Sequence, residues 1–520
     1  MPDGNPLTTS PSVPVTSGSQ PLLTVVDGTA EVFRRTRERC EEMVSWLGNE
    51  EAQCLTHADM ERRLQSLGRE LLRQGLQDHL DLRALRETRV EVHDVTGRSR
   101  SPEPKHTRIL TTVVGDVTAE RMAYRRRECS NLHPADGVLN LPVEQHSHGI
   151  RELAAVESSR GSFDEARKAI QRATGVVLGK RQVEELTQRS AVDVEAFYAQ
   201  ADRPSPKRSD PLVLSFDGKG IVMRPECLRE ATAQAAAKAK DDATGTRVDK
   251  DERGNRKRIA EIAAVYDITP VVRTSDDIFV RSGERRVKPG PVARGKWLGA
   301  SVVEDAATVI HDGFEEAQRR DPHHRRQWVA LVDGANHQID CIEAEADARD
   351  VEVTILIDCI HVLEYLHKAA RCFYPHGGSD ADAWVMEKAR AILEGNSSTV
   401  AASITRKATC LGLEDAAREG ADRCADYLLN KRDHLDYPTA LARGWPIATG
   451  IIEGACRHLI GDRLGITGAR WGLDGAEAVL KLRAVRTNGD WDAYLAFHLE
   501  QERQRIHCSQ YQDRVIPLAA

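Results

Sequence analysis

The hydrophobic positions of this chain repeat one pattern twice: a short apolar run that ends in an aspartate followed by a glycine. The first run, 211–220 (PLVLSFDGKG), predicts a buried strand that places Asp217 at its end. The second run, 328–334 (WVALVDG), does the same for Asp333. Each aspartate alone is also typical of a residue that opens a turn. Two such strand ends, with an acidic helix downstream, favour a shared carboxylate site.

Between and after these runs, the pattern predicts further strands and helices. Strands are expected at 259–272, 297–303 and 351–358, and helices at 304–320 and 338–349. The first three strands are expected to form an antiparallel meander, to which helical crossovers add the fourth and fifth. This α/β order is similar to that of the RNase H-like fold, in which the first and fourth strands of a mixed sheet lie side by side. The two aspartates would then lie close together.

The rest of the chain divides into segments of distinct composition and period. Four segments precede the sheet: a disordered leader at 1–25, a helical region at 26–100, a β-hairpin region at 101–148 with its turn at Gly115-Asp116, and a helix-turn-helix at 149–200. The sheet is predicted within 208–361. Three segments follow it: an all-α insertion at 362–445, C-terminal helices of the core at 446–507, and a tail at 508–520.

The helix-turn-helix prediction depends on local start and stop signals. Ser162 and Glu165 form a capping box at the start of one helix, and Gly175 ends that helix. Residues 160–189 include seven basic and four acidic residues. A basic second helix suits insertion into the major groove of DNA. Its groove-facing start would present Lys180, Arg181 and Gln182. A helical hairpin with a packing role only is the alternative.

Composition narrows the class of protein. The chain has 520 residues, a formal net charge of −7 and no run of eighteen apolar residues, so we expect no membrane span and no export signal. Eleven cysteines without a C-x-x-C pair indicate reduced thiols in a cytosol. The negative net charge requires that any DNA-binding residues be concentrated locally, as they are in the basic stretch 281–296 with Arg285, Arg286 and Lys288.

Two groups of residues raise the question of metal binding. Adjacent aspartates repel, so keeping both ionised requires a cation between them, and carboxylate oxygens suit Mg²⁺ or Mn²⁺. Glu453, on a helix that opens after Gly450, is the candidate third carboxylate; the alternative is an exposed ion pair with Arg457. The second group is Cys129 with His133, His146 and His148, whose spacing fits no common zinc pattern.

Four stretches in order carry a resemblance to a known family: SFDGKGIVMRPE, WVALVDGANHQ, LIDCIHVLEYL and GIIEGACRHLIGDRLGITGARW. They resemble the transposases of bacterial insertion sequences of the ISKra type, which are DDE enzymes on an RNase H-like core and are distantly similar to Mutator-like transposases. The resemblance covers roughly residues 105 to 507. It implies a catalytic and metal-binding triad at Asp217, Asp333 and Glu453, holding two Mg²⁺ (or Mn²⁺) ions.

The resemblance also implies roles outside the triad. Asp358 and His361 match an Asp-x-x-His motif of Mutator-like relatives, and Arg457 and His458 are further accessory candidates. DNA contacts are expected from Arg406, Lys407, Arg463 and Arg470 in addition to the basic residues above. The implied partners are the element's terminal inverted repeats, target DNA and further copies of the chain, with no membrane, in the cytoplasm at the bacterial nucleoid. An RNase H-like nuclease or resolvase, or a transposase-derived DNA-binding regulator, remains the alternative.

Overall fold

A computed structural model describes residues 29–201, 210–241, 256–279, 288–374, 376, 378–466 and 468–517. The predicted leader at 1–25, together with Arg285 and Arg286, lies outside the described residues. The described chain is a mixed α/β protein with a five-stranded mixed sheet and a separate three-stranded sheet. None of the described helices combines the length and apolar character that crossing a membrane would require.

The N-terminal part is a helical hairpin that packs on the smaller sheet. Its helices are α1 Thr29–Val32, α2 Arg34–Leu47, α3 Glu50–Gln53 and α4 His57–Arg86, of which α2 and α4 are the two long, amphipathic ones. The strands, all antiparallel, are β1 Val92–His93, β2 Ser99–Thr112 and β3 Gly115–Arg125. Thr36 on α2 donates to buried Asp78 on α4 over 2.7 Å, which ties the two long helices together.

The predicted hairpin is confirmed, but the prediction of its turn at Gly115-Asp116 was wrong. Thr112 pairs with Gly115, so Val113 and Val114 form the turn. The Thr112 hydroxyl accepts the Val114 amide and donates to the Gly115 carbonyl, which closes the turn two residues earlier than the glycine indicated. Gly115 itself has φ +123°, a conformation that disfavours side chains.

Four helices follow a short helix α5 (Pro134–Val138): α6 His148–Arg160, α7 Phe163–Thr174, α8 Lys180–Arg189 and α9 Val194–Gln200. The predicted start and stop of α7 and the predicted start of α8 are confirmed. Ser162 and Glu165 form the capping box, and Gly175 ends α7 in the left-handed conformation at φ 79°. The helices α6, α7 and α8 pack on one another through a core that contains Ile150, Ile170 and Val183.

The five-stranded sheet contains the first aspartate. Its strands are β4 Leu212–Val222, β5 Lys257–Ile268, β6 Ala293–Ser301, β7 Trp328–Val332 and β8 Val353–Ile357, in the spatial order β6-β5-β4-β7-β8. The first three strands are antiparallel, and β7 and β8 are parallel to β4. The predicted meander, and the placement of the first and fourth strands side by side, are therefore confirmed.

Helices cover both faces of this sheet. The connections within it contain α10 Glu230–Asp241, α11 Ser275–Ile278, α12 Ala306–Arg320 and α13 Asn336–Arg349. Leu212, Leu214 and Phe216 of β4 pack on the face that α12 covers through Phe314. Val213, on the opposite face, belongs to a second core. The alternation of strand side chains thus separates two layers, as expected for a sheet buried on both faces.

The second face is covered by helices that follow β8. The predicted all-α insertion is formed by α14 Cys359–Phe373, α15 Ser379–Leu393, α16 Ser397–Cys410, α17 Asp415–Asn430 and α18 Tyr437–Ala442. The C-terminal helices are α19 Gly450–Ala455, a π-helix Cys456–Gly461, α20 Leu473–Asn488 and α21 Trp491–Ile506. The tail packs on the small sheet, where Tyr511 bridges Asp94.

Candidate active site

Asp217 and Asp333 occupy matching positions on neighbouring strands. In the parallel pair β4–β7, Ser215 lies opposite Leu331, and each aspartate follows two residues later. Adjacent strands lie roughly 4.8 Å apart. Val213 lies four residues before Asp217, and Leu331 lies two residues before Asp333; both belong to the same core. Side chains an even number of positions apart on a strand point to the same face, so both aspartates are placed toward the face of that core. The prediction that the two aspartates lie on neighbouring strands is confirmed, but the prediction that Asp217 ends its strand was wrong. β4 continues through Gly218 and Gly220 to Val222, because β5 pairs with it over that whole length.

The helix that carries Glu453 packs on this face. Ile452 and Ala455 of α19 are buried in the same core as Val213, and α19 contacts both β4 and β5. After Ala455 the chain continues directly as the π-helix 456–461. Single π-turns are rare and occur frequently at functional sites. Glu453 itself is exposed to solvent.

A cysteine links the Glu453 helix to Asp217. The Cys456 thiol donates to Oδ2 of Asp217 over 3.0 Å, while Oδ1 accepts the Gly218 amide at 2.7 Å. Burial raises the pKa of Cys456, and the negative charges of Asp217 and Glu453 raise it further. The thiol therefore stays protonated and keeps its donor directed at the carboxylate. Sequence reasoning missed Cys456; its position three residues after Glu453 was the available signal.

Asp333 begins a tight turn that a helix of the insertion holds in place. Gly334 has φ +95°, and the Asp333 carboxylate accepts the Ala335 amide at 2.9 Å. The Tyr427 hydroxyl of α17 donates to the Asp333 carbonyl over 3.1 Å. Tyr427 in turn stacks on Tyr365 of α14, with the ring centres 4.0 Å apart. The inserted helices therefore lie beside the candidate site, as their place in the sequence predicts.

Asp358 connects the end of β8 to the start of the Glu453 helix. Its carboxylate is fully buried and caps α14 by accepting the Ile360 amide at 2.6 Å. It also accepts the Thr449 amide at 2.9 Å and the Thr449 hydroxyl. The Thr449 carbonyl then accepts the Glu453 amide in the first turn of α19. Asp358 thus positions Glu453 through Thr449 and does not itself face the other carboxylates.

Glu261 is a fourth acidic residue at this edge, and sequence reasoning missed it. It lies on β5 opposite Gly218, and its Oε2 would be 2.8 Å from a Cβ atom built on that glycine. Burial raises the pKa of Glu261, and the charge of Asp217 raises it further. The available signal was a glutamate inside the otherwise apolar strand AEIAAVY. The carboxylates of Glu261 and Asp217 therefore repel each other when both are ionised.

We expect Glu261→Gln to raise the melting temperature of the metal-free protein at about pH 8 but not at about pH 4. When the pKa of a carboxyl group is higher in the folded chain than in the unfolded chain, the group favours folding at pH values below its unfolded pKa. This contribution to stability is lost as the pH rises through the folded pKa, whereas a glutamine, which does not ionise, does not lose it. Thermal unfolding at both pH values checks this, with the exposed Glu343→Gln as the matched control. A lower melting temperature of Glu261→Gln at pH 8 would contradict the repulsion.

The donor chemistry of this edge fits a hard divalent cation, because carboxylate oxygens are the ligands that Mg²⁺ and Mn²⁺ prefer. Asp217 and Asp333 supply them at matching levels of adjacent strands, and Glu261 and Glu453 lie nearby. Among the described residues, however, no three His, Cys, Asp or Glu side chains already stand close enough together to hold one ion. Of the sequence-predicted triad, the fold thus brings two members to matching levels of neighbouring strands and the third to the same face.

The remaining accessory candidates have other partners. His458 pairs with Asp462 over 3.1 Å, and His361 lies 3.8 Å from Glu364. Arg457 is exposed, and the described residues include no ion pair between it and Glu453. The π-turn that starts at Cys456 changes the helical spacing on which that pair depended. The alternative interpretation of Glu453 as an ion-pair partner of Arg457 therefore has no contact to support it.

The candidate DNA-binding residues divide by exposure. Lys180, Arg181 and Gln182 are all exposed at the start of α8. Arg406 and Arg470 are exposed as well, and Lys288 is exposed 4.0 Å from Asp277. Arg463 differs from these, because it is only 2% exposed.

Lys407 is held by aromatic side chains, which makes it a poor candidate for a DNA contact. Its ammonium lies 4.4 Å from the ring centre of Tyr374, and the rings of Phe373 and Trp384 are also nearby. It donates to the Tyr374 hydroxyl over 2.8 Å. Trp384 itself is buried. Lys407 therefore acts in packing the inserted helices, whereas the neighbouring Arg406 stays free for a phosphate.

The four residues considered for zinc have separate surroundings. Cys129 is exposed, His133 packs against His106 with ring centres 5.6 Å apart, and His148 bonds the Asn140 carbonyl at 2.7 Å. Burial lowers the pKa of His133 to about 4, so its ring is neutral near neutral pH.

Comparison with known proteins adds no further constraint. The sequence matches no protein-family profile and no curated protein.

Proposed function

We propose that this chain is a DDE transposase that binds the ends of an insertion sequence and catalyses cleavage and strand transfer of DNA. The observation that carries the proposal is the position of Asp217, within β4, and Asp333, directly after β7, at matching levels of two neighbouring parallel strands, on the face that the Glu453 helix covers. Carboxylates from the first strand, the fourth strand and a later helix are the arrangement expected for in-line phosphoryl transfer assisted by divalent cations.

The sheet supports an RNase H-like core. The strand order places the first strand between the second and the fourth, with the second antiparallel and the fourth and fifth parallel to it. This is the order that the resemblance implies. The five inserted helices α14–α18 then occupy the interval between the fifth strand and the Glu453 helix.

In this mechanism, Mg²⁺ or Mn²⁺ would activate the attacking water or DNA 3′-hydroxyl and stabilise the leaving oxygen. Asp217, Asp333 and Glu453 would hold the ions. Cys456 keeps Oδ2 of Asp217 in place, Tyr427 fixes the Asp333 turn, and Asp358 fixes the first turn of α19. These contacts pre-organise the acidic groups, and the reaction uses no covalent enzyme intermediate.

The helices α7 and α8 would read the terminal sequence of the element. We expect Lys180→Ala combined with Arg181→Ala to weaken binding of the element end by roughly tenfold or more, because each base contact contributes about 1–3 kcal/mol. Gln182 is left unchanged, since its side chain accepts the Gly179 amide at 2.8 Å and helps to start the helix. Fluorescence anisotropy with the terminal duplex measures the effect, and Arg35→Ala with Arg37→Ala on α2 is the control. Unchanged affinity and footprint would leave α7 and α8 a packing unit.

The proposed activity is tested by incubating the chain with duplex DNA that spans the ends flanking its own gene. We expect Mg²⁺ or Mn²⁺ to support strand cleavage at the element boundary that yields a 3′-hydroxyl, and EDTA to abolish it. Cleavage at random positions would favour the nuclease alternative, and binding without cleavage would favour a DNA-binding regulator.

A further inference from the structure

A basic cavity lies between the start of α8 and the segment that follows the π-helix. Its volume is about 370 Å³, far larger than the ~30 Å³ that a water molecule occupies. Four basic residues and one acidic residue line it: Lys180, Arg224, Arg463, Arg470 and Glu184. The cavity thus joins three parts of the chain, namely the proposed DNA-reading helix, the end of the Asp217 strand, and the loop after the Glu453 helix.

Arg463 is the unusual member of this set because its charge is buried without an acidic partner. Only 2% of the residue is exposed, and its guanidinium lies over the rings of Trp471 at 4.5 Å and Phe163 at 5.5 Å. Nε donates to the Ser158 carbonyl over 2.8 Å, but the buried Nη2 has no hydrogen-bond partner among the described residues. The aromatic rings hold the side chain in position beside the cavity, and one of its donors is left without a hydrogen-bond partner among the described residues.

The buried charge of Arg463 would be stabilised by a bound anion, because a buried charge without a partner is costly. Burial, together with the neighbouring charge of Arg483, lowers the pKa of Arg463 to about 10, so the group stays charged near neutral pH. The negative charge of Glu165 acts on Arg463, but the Glu165 carboxylate already accepts the Ser162 amide at 2.8 Å in the capping box.

The cavity is rigidly connected to the Asp217 strand. Trp471 pairs with the strand's continuation, since its amide donates to the Val222 carbonyl over 3.1 Å and its carbonyl accepts the Arg224 amide at 2.8 Å. The Arg224 guanidinium stands near Gly472, because Nη1 would be 3.5 Å from a Cβ atom on that glycine. A group bound here is therefore fixed relative to Asp217, seven residues before Arg224.

We propose that this cavity binds one phosphate of the DNA backbone, clamping the strand that runs from the recognition helix to the carboxylates. The inference rests on the proposed DNA-binding function and adds a specific anion site to it. Arg463 supplies a fixed, partly desolvated donor, while the exposed Arg224 and Lys180 complete the contact from two other elements. Charged hydrogen bonds from arginine to phosphate are strong and geometrically specific.

The test uses the salt dependence of binding to the terminal duplex, measured by fluorescence anisotropy over a range of KCl concentrations. Losing one phosphate contact lowers the log–log slope by about 0.9. We expect this change for Arg224→Ala and for Arg463→Met, which keeps an apolar side chain between the two rings. Arg62→Ala is the control, because Arg62 is equally basic but lies on α4, paired with Asp59. Arg224 is exposed, so its variant tests the site even if Arg463→Met does not fold.

A second measurement identifies the phosphate. Single neutral methylphosphonates are introduced along the terminal duplex, and we expect one position to weaken binding to the wild-type chain but not to Arg224→Ala. Unchanged slopes in Arg224→Ala, or additive losses at every position, would overturn the inference.

Cleavage of the same duplex separates this inference from the proposed function. Metal-dependent cleavage with unchanged slopes would remove the phosphate site and leave the transposase proposal standing. The expected slope change without cleavage would keep the site and remove the proposed activity. A chain that does not bind the duplex would contradict both.

Discussion

Asp217→Asn, Asp333→Asn and Glu453→Gln are each expected to reduce cleavage of the element end by at least roughly a hundredfold. The replacements are isosteric and remove one negative charge each from the site that is proposed to hold the cations. Changes in groups behind metal ligands already cost about 10–100-fold, so loss of a ligand costs more. The measurement is single-turnover cleavage of an end-labelled terminal duplex in Mg²⁺.

Binding to the terminal duplex separates loss of chemistry from loss of structure. We expect it to remain near the wild-type value in all three variants, because none of the three replaced residues belongs to α8, the proposed DNA-reading helix. The matched control is Asp340→Asn, which changes a solvent-exposed aspartate of α13. Near-normal cleavage by any one of the three variants would remove that residue from the triad.

Asp358→Asn is expected to lower both stability and cleavage. The buried carboxylate accepts the amides of Ile360 and Thr449 together with the Thr449 hydroxyl, and an asparagine oxygen cannot serve both sides. A buried donor left without an acceptor costs about 1–3 kcal/mol. Since Thr449 begins the Glu453 helix, we also expect cleavage to fall by roughly 10–100-fold, as for changes behind metal ligands. Thermal unfolding and single-turnover cleavage measure the two effects.

Asp305→Asn supplies the matched control for this variant. Asp305 also caps a helix, accepting the Thr308 amide at 2.9 Å, but it is exposed. Asparagine is about as good as aspartate at a helix N-terminus, so we expect little change. The double variant Thr449→Val with Asp358→Asn should lose less free energy of unfolding than the sum of the losses in the two single variants, because both changes remove the same contact. Strict additivity, or full activity of Asp358→Asn, would contradict the positioning role.

The strands of the sheet were predictable because apolar runs bounded by glycine and proline are strong local signals. The order of strands and helices is similar to that of the RNase H-like fold, and this similarity predicted that β4 and β7 lie side by side, which is what brings Asp217 near Asp333. The capping box at Ser162 and the glycine stop at Gly175 predicted α7. The strands and the helix boundaries depend on residues that are close in sequence, whereas the pairing of β4 with β7 was predictable only through the similarity to a known fold.

Features that depend on distant residues were not predictable in the same way. The contact between Cys456 and Asp217 joins residues 239 positions apart, and the position of Cys456 three residues after Glu453 does not by itself show that its partner is Asp217. Glu261 reaches the site only because β5 pairs with β4 in a particular register. Lys407 was expected at DNA because it is basic, but the surrounding aromatic side chains come from α14, α15 and the residue after α14.

Joining of DNA strands tests the central claim most directly. The wild-type chain is incubated in Mg²⁺ with a terminal duplex that has been cut to leave a 3′-hydroxyl and with a circular target plasmid, and the junctions are sequenced. We predict that the 3′ end of the element is covalently joined to target DNA, and that Glu453→Gln yields no such junctions. Cleaved DNA without any joined product, or junctions that persist in Glu453→Gln, would contradict a DDE transposase centred on Asp217, Asp333 and Glu453.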